Sequence, residues 1–174
     1  MKPFTVYEMT FSGAGMQTEL PEMIPLRAEF DEQYLRIYNE CFYEMRKALD
    51  IRPYNVYADV RQLDAKRPHI FLLAEGKALI GSVGCCGTEI DDLIVNPQYR
   101  GRGYGRRLLA WAVGHIWESA DAPVKLHVAE RNRIAVQLYL KSGFVITKTE
   151  QMQGTPADIF APGEGPDKNS QISH

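Results

Sequence analysis

The stretch from Arg100 to Arg107 alternates three glycines with bulkier residues and carries four arginines. No acidic residue occurs between Asp92 and Glu118, so positive charge is concentrated here. An apolar run precedes the stretch, and apolar residues at helical spacing follow it. A helix N-terminus offers unpaired N–H groups and a partial positive charge, and glycines let a ligand approach the backbone closely. The stretch therefore predicts a binding site for an anion, most typically a phosphate group.

The spacing of the glycines distinguishes between the known phosphate-binding patterns. The dinucleotide pattern GxGxxG fails, because Arg106 stands three residues after Gly103. The pattern GxxxxGK[ST] fails as well, because the stretch contains no lysine. The pattern [RQ]xxGx[GA] fits, with Arg100, Gly103 and Gly105 at its defined positions.

A second pattern follows about thirty residues later. The sequence NRIAVQLYLKSGF matches N-x-x-A-x-x-L-Y-x-x-x-G-F, with its defined positions at Asn132, Ala135, Leu138, Tyr139, Gly143 and Phe144. The two patterns occur in this order with one predicted helix and one predicted strand between them. With both patterns present, the sequence resembles the GNAT superfamily of acyl-CoA-dependent N-acetyltransferases over about residues 24 to 150.

The resemblance implies that acetyl-CoA is the co-substrate and that its pyrophosphate binds the loop at 100–106. It also implies that the pantetheine arm pairs with the backbone of the strand before the loop, and that Asn132 hydrogen-bonds the cofactor besides capping a helix. The residues that it assigns to the cofactor are Leu93, Ile94, Val95, Arg100, Gly101, Arg102, Gly103, Tyr104, Gly105, Arg106, Asn132 and Tyr139.

Two residues are candidates for proton transfer. Tyr139 is neutral at pH 7 and can protonate a leaving thiolate, although a tyrosine on an apolar helix face is more commonly a core residue. Glu89, eleven positions before Arg100, matches by resemblance the base that deprotonates the acceptor amine. Asp91, Asp92 or water are the alternatives. A strand alternates its faces, so at most one of the two aspartates should point into any given site, and a β-bulge here would change which one.

These residues require a sheet and helices to position them. The pattern predicts an α/β (α+β) domain with the GNAT fold, in which a mixed, mostly antiparallel twisted sheet of six to seven strands is flanked by about four helices. The predicted strands are 4–11, 23–30, 69–75, 78–85, 89–95, 124–129 and 144–151. The predicted helices are 32–49, a short one at 55–64, one after the glycine stretch and one ending before Gly143. A further strand of the family has only a weak candidate at 157–161.

The chain of 174 residues divides into an N-terminal extension (1–23), an acetyltransferase domain (24–153) and a Pro- and Gly-rich C-terminal segment (154–174). The net charge of −2 does not favour binding to nucleic acid or to a membrane. Three cysteines, two of them adjacent, make a poor disulfide framework and favour a cytoplasmic protein. No metal-ligand spacing is present, and we expect a monomer or a homodimer.

The sequence therefore predicts an N-acetyltransferase that moves an acetyl group from acetyl-CoA to a primary amine in a ternary complex. One alternative is a non-catalytic acyl-CoA-binding or regulatory module on the same fold. Another is a nucleic-acid-binding protein that uses the arginines, whose affinity would fall steeply with salt. Cys85 and Cys86 suggest an acyl-cysteine route, but no histidine and acid partners accompany them.

Overall fold

The computed structural model describes residues 3–13 and 15–153. One seven-stranded sheet, with strand order β2-β3-β4-β5-β6-β1-β7, forms the centre of the fold. Every strand pair is antiparallel except β5 with β6, which is parallel. The strands are β1 Phe4–Phe11, β2 Ile24–Pro25, β3 Ile70–Glu75, β4 Ala78–Cys86, β5 Glu89–Val95, β6 Lys125–Ala129 and β7 Phe144–Met152. The predicted mixed, mostly antiparallel sheet is confirmed.

Three α-helices cover the two faces of the sheet: α1 Asp31–Ala48, α2 Tyr104–Ser119 and α3 Arg133–Lys141. On one side, which we call the α1 face, Tyr34, Ile37 and Tyr38 pack with buried side chains of β3, β4 and β5. On the other side, the α2 face, the apolar residues of α2 and α3 pack on β1, β4, β5 and β6. The helices are amphipathic, so burying their apolar sides fixes each one against a single face.

The described residues contain three α-helices, not the predicted four. Within the predicted helix at 55–64 only Val60–Leu63 is helical, as a single 3₁₀ turn. Asp59 and Gln62 satisfy the first backbone N–H groups of this turn as a capping box, and the extended backbone of Asp59 (φ −147°, ψ 143°) separates the turn from residues 55–58. The strand predicted at 23–30 is also shorter, at Ile24–Pro25, because a 3₁₀ turn at Ala28–Phe30 leads directly into α1.

Strand β1 lies inside the sheet, where it pairs with both β6 and β7. It belongs to the segment 1–23 that the sequence analysis separates from the domain, and that division of the chain stays a prediction. The other candidate for an additional strand, 157–161, lies outside the described residues.

Two glycines allow a matched test of the packing between β4 and α2. A Cβ atom at Gly81 would lie 2.7 Å from the carbonyl oxygen of Ile94 and 2.7 Å from Cδ1 of Leu108, whereas a Cβ at Gly114 in α2 meets open space. We expect Gly81→Ala to lower the free energy of unfolding by about 1–3 kcal/mol through overpacking. We expect Gly114→Ala to raise it by up to about 1 kcal/mol, because alanine favours a helix. Urea unfolding of both variants is the measurement, and equal midpoints would contradict this packing.

Candidate active site

Strands β5 and β6 separate shortly after they begin. Within the described residues they pair at only two positions, Glu89 with Lys125 and Ile90 with Leu126. Beyond Ile90 the two strands no longer pair, although β5 continues to Val95 and β6 continues to Ala129. The sheet therefore has a fork that opens at Asp91, and among residues 3–13 and 15–153 no strand pairs with this edge of β5 beyond Ile90.

A β-bulge in β5 lies at this fork. The register with β4 shifts between Ser82 and Gly84, and Asp92 has a φ of 44°. Ile90 packs on the α2 face and Ile94 packs on the α1 face, which strict alternation over four residues would not allow. The bulge therefore brings Asp91 and Asp92 to the same face of the sheet, and the expectation that only one of them points into the site is wrong.

Contacts of Asp91 and Asp92 show that the face they share is the α1 face. Oδ2 of Asp92 lies 3.4 Å from Nζ of Lys66, which follows α1 in the chain, and both side chains are less than one-fifth exposed. A Cβ atom at Gly84 would lie 3.2 Å from Cβ of Asp91, so glycine leaves room for the carboxylate above β4. Burial, and secondarily the charge of Asp92, raises the pKa of Asp91 to about 6.

Glu89 lies in the paired part of β5, before the fork. Its Oε1 is 3.6 Å from Nδ1 of His127, and Nε2 of His127 is 3.5 Å from Oε2 of Glu8 on β1. Lys125 also approaches Glu8, with 3.6 Å between Nζ and Oε1. Glu89 therefore belongs to a surface array of charged side chains across β5, β6 and β1. The sequence analysis did not anticipate a contact between Glu89 and His127.

The free edge of β5 presents backbone groups to the fork. The N–H of Asn96 donates to the carbonyl of Ile80 on β4 at 2.8 Å. Backbone groups alternate in direction along a strand, so the N–H of Val95 points away from β4. The carbonyl of Val95 accepts a long hydrogen bond from Sγ of Cys41, at 3.5 Å. Nδ2 of the buried Asn96 donates to the carbonyl of Leu79 and fixes the end of the strand.

The glycine stretch forms the entry to α2. Gly101 and Gly103 have φ values of 76° and 80°, which favour glycine, and a Cβ at either position would meet only open space. Gly103 is the N-cap of α2, and the first helical hydrogen bond runs from the N–H of Arg107 to the carbonyl of Gly103. The backbone N–H groups of residues 103–106 are therefore available to a ligand.

Aromatic rings support the arginines around this loop. The guanidinium of Arg102 lies over the ring of Tyr99, and that of Arg107 over the ring of Tyr104, each 5.5 Å from the centroid. Arg100 donates to Sγ of Cys41 at 3.4 Å, which joins the loop to α1. The first turn of α2 contains no acidic residue, so nothing in it opposes an anion.

Helix α3 carries the second pattern. Oδ1 of Asn132 accepts a hydrogen bond from the N–H of Ala135 at 3.3 Å and caps the helix, as predicted. Tyr139 is 8 % exposed and packs in the core of the α2 face. Burial, with the nearby charge of Asp92, raises the pKa of Tyr139 far above its ordinary value. Tyr139 is therefore neutral in the neutral pH range.

A cavity of about 250 Å³ opens between the C-terminal half of α1 and the turn before α3. Its lining residues are Cys41, Phe42, Met45, Ala48, Arg131 and Asn132. Asn132 and Cys41 connect this cavity to the two predicted motifs, because Cys41 contacts both Arg100 and Val95. The fork, the loop and the cavity therefore form one continuous region.

Several residues of this region escaped the sequence analysis. Lys66 lies in an irregular segment with no motif, and only its contact with Asp92 identifies it. A glycine inside a strand can mark a close approach of another part of the chain, and Gly84 is a sequence signal of this kind. Within the described residues no group of three or more metal-binding side chains is present. No helix in the same part of the chain is long and apolar enough to cross a membrane.

Comparisons with known proteins agree with the sequence patterns. Residues 31–144 match the sequence model of the Acetyltransferase (GNAT) family. A mycothiol acetyltransferase of Cellulomonas flavigena is 31% identical over an alignment of 118 residues, and the match covers 57% of this chain and 34% of that protein. A mycothiol acetyltransferase of Thermobifida fusca is 38% identical over 60 residues, 34% of this chain and 19% of that protein. The matches thus cover about a third or less of these curated relatives.

Solved structures share the fold. A GNAT-family acetyltransferase from Colwellia psychrerythraea superposes with a TM-score of 0.63 at 13% identity, covering 87% of this chain and 56% of that one. A GCN5-related N-acetyltransferase from Sphaerobacter thermophilus gives a TM-score of 0.58 at 18% identity, covering 85% and 50%. The family model covers both motifs and the fork between them, and the resemblance read from the sequence is confirmed: this chain belongs to the Acetyltransferase (GNAT) family of acyltransferases.

Proposed function

We propose that the protein is an N-acetyltransferase that transfers the acetyl group of acetyl-CoA to a primary amine by direct attack in a ternary complex. The observation that carries this proposal is the fork between β5 and β6, whose free backbone edge leads directly to the glycine-capped N-terminus of α2. An extended thioester arm and its phosphate groups require these two features side by side. The acetyl transfer named for the curated relatives supports the same reaction.

The loop at 100–106 and strand β5 would bind different parts of the cofactor. The backbone N–H groups of residues 103–106 would bind the pyrophosphate, with Arg100, Arg102 and Arg106 nearby to offset its charge. Leu93, Ile94 and Val95 would pair through their backbone with the pantetheine arm. Asn132, with Oδ1 already used in the helix cap, would contact the cofactor through its remaining amide N–H groups.

The chemistry follows from what surrounds the fork. The amine nitrogen attacks the thioester carbonyl carbon, and the N–H of Val95 stabilises the negative charge that develops on the oxygen. When the C–S bond breaks, Tyr139 gives its proton to the leaving thiolate, and the proton that the nitrogen loses as it becomes an amide passes through water to restore the phenol. A carboxylate of β5 takes the proton that the ammonium must lose beforehand, and Glu89 is the residue that the family pattern assigns to this step. Monomeric or dimeric state and cytoplasmic location stay predictions.

Isothermal titration with acetyl-CoA and an assay of thiol release together test the proposal. We expect micromolar binding of acetyl-CoA, and release of free coenzyme A only when a suitable primary amine is added. A panel of cationic amines, namely spermidine, tyramine, glucosamine and a lysine peptide, covers small-molecule and peptide acceptors.

Binding without thiol release from any amine would instead indicate a non-catalytic acyl-CoA-binding module. Absence of acetyl-CoA binding would overturn the proposal entirely. Binding of RNA that weakens by orders of magnitude between about 50 and 200 mM salt would favour the nucleic-acid alternative.

A further inference from the structure

The position of Asp91 separates it from the other carboxylates of β5. It is the first residue after the last hydrogen-bonded pair between β5 and β6, so it lies where the two strands part. Glu89 lies two residues earlier, opposite Lys125 in the closed part of the sheet. A group that takes a proton from an amine in the fork must come within hydrogen-bond reach of that amine, directly or through one water. Asp91 is the better placed of the two.

The three acidic residues of β5 also differ in whether a charged side chain engages them, and this difference again favours Asp91. Asp92 is engaged by Lys66, and Glu89 faces the imidazole of His127. Within the described ranges, the ion pairs formed by lysine, arginine and histidine side chains do not include Asp91. Asp91 therefore keeps its oxygen atoms available for an acceptor, while its neighbours are occupied.

Two structural details hold Asp91 in this place. The bulge at Asp92 brings both aspartates to the α1 face, so Lys66 can hold one of them while the other stays free. Gly84 lies opposite Asp91, and a Cβ there would approach its carbonyl oxygen to 3.1 Å. The backbone of β4 and β5 thus reserves space for this carboxylate, independently of any side-chain motif.

We infer that Asp91, and not Glu89, is the general base that deprotonates the acceptor amine, with Lys66 acting as a positioning residue through Asp92. The inference rests on the proposed acetyl transfer. The ammonium gives one proton to a carboxylate oxygen of Asp91, the neutral amine attacks the thioester, and Tyr139 supplies a different proton to the sulfur. Asp91 returns to the carboxylate by releasing its proton to water. The second proton that the nitrogen loses as the amide forms passes through water to the phenolate oxygen of Tyr139, so both side chains regain their starting state.

The surroundings of Asp91 match this role. Asp92 and Glu89 on the same strand favour its protonated form, whereas Lys66 from the α1–β3 connection and His127 from β6 favour the carboxylate; Tyr34 of α1 also lies near. With burial as the largest influence, its pKa is about 6. Above that pH it is a carboxylate able to accept a proton, and below it the base is lost, so kcat/KM should rise with pH through this region.

Asp91→Asn, Glu89→Gln and the surface control Asp121→Asn test the inference. The probe is the amine of the panel that releases thiol fastest, and hydroxylamine serves as a second nucleophile that is unprotonated at neutral pH. We expect Asp91→Asn to lower kcat/KM for the first amine by about 10²–10⁴-fold and to remove the rise near pH 6. The loss with hydroxylamine should be much smaller, because it does not need the base. Acetyl-CoA affinity should stay that of the wild type, which shows that the site is folded.

A merely structural role would lower the rate with both nucleophiles and leave the pH profile in place. Full activity of Asp91→Asn, or a large amine-specific loss in Glu89→Gln instead, would overturn the inference while leaving acetyl transfer intact. If the wild type binds acetyl-CoA but transfers to no amine, the proposed function itself fails and this inference fails with it. Lys66→Met should lower kcat while keeping the acetyl-CoA affinity, and an unchanged kcat would remove its positioning role.

Discussion

Tyr139→Phe is expected to lower kcat for acetyl transfer by about 10²–10⁴-fold, the usual contribution of a positioned proton donor. Burial raises the pKa of Tyr139 far above its ordinary value, so the phenol is protonated throughout the neutral pH range. The expected loss of kcat should therefore be the same across the neutral range. Thiol release measured at saturating acetyl-CoA, between pH 6 and pH 9, is the experiment.

The controls separate proton transfer from packing. The phenylalanine ring keeps the contacts of Tyr139 with its neighbours, including the ring of Phe144 at 5.9 Å between centroids. Acetyl-CoA affinity and the urea midpoint should therefore change little. Tyr43→Phe, on a helix position away from the core, should leave kcat unchanged. If kcat of Tyr139→Phe equals that of the wild type, water protonates the thiolate and Tyr139 is a core residue only.

Gly103→Glu is expected to weaken acetyl-CoA binding by at least about 100-fold, which corresponds to roughly 2.7 kcal/mol. Two causes act together. The φ of 80° at Gly103 is strained for any residue with a Cβ, and the new carboxylate would stand where the backbone N–H groups receive a phosphate. Isothermal titration of the variant against the wild type gives the ratio of the two dissociation constants.

Two further variants divide these causes. Gly103→Ala carries the backbone strain without the charge, and we expect it to weaken binding less than Gly103→Glu. Gly76→Glu introduces the same side chain at a glycine with a φ of 57° in the turn between β3 and β4, distant in sequence from the loop. It should leave acetyl-CoA affinity unchanged. Wild-type affinity of Gly103→Glu would mean that the N-terminus of α2 is not the phosphate site.

Local patterns accounted for most of the elements. The ends of β1 and β5 agree with the predicted strands 4–11 and 89–95, because β-rich composition and flanking turn residues define them within a few positions. The loop at 100–106 was predicted equally well, because its glycines and arginines act through local backbone conformation and charge, and both follow from residue type alone. In both cases the information lies within a short window of the chain.

Other features depend on residues far apart in the chain, and the sequence patterns did not contain them. The bulge at Asp92 becomes visible only when β5 is paired with β4. Lys66 reaches Asp92 across 26 residues, and nothing in its neighbours indicates that contact. The place of β1 between β6 and β7 is likewise a matter of strand pairing, which depends on the whole sheet.

The placement of β1 has a consequence for how the chain reaches its native state during synthesis. Residues 4–11 leave the ribosome before the other strands of the sheet, yet both of their partners, β6 and β7, lie more than a hundred residues later. Until residues 125–152 emerge, β1 has neither of its native neighbours, and the core of the α2 face lacks Met9 and Phe11. Contacts this distant make folding slow and leave an unpaired strand exposed meanwhile. The first strand of this sheet to be translated is thus among the last to be paired, and the nascent chain depends on β6 and β7 to cover it against association with other chains.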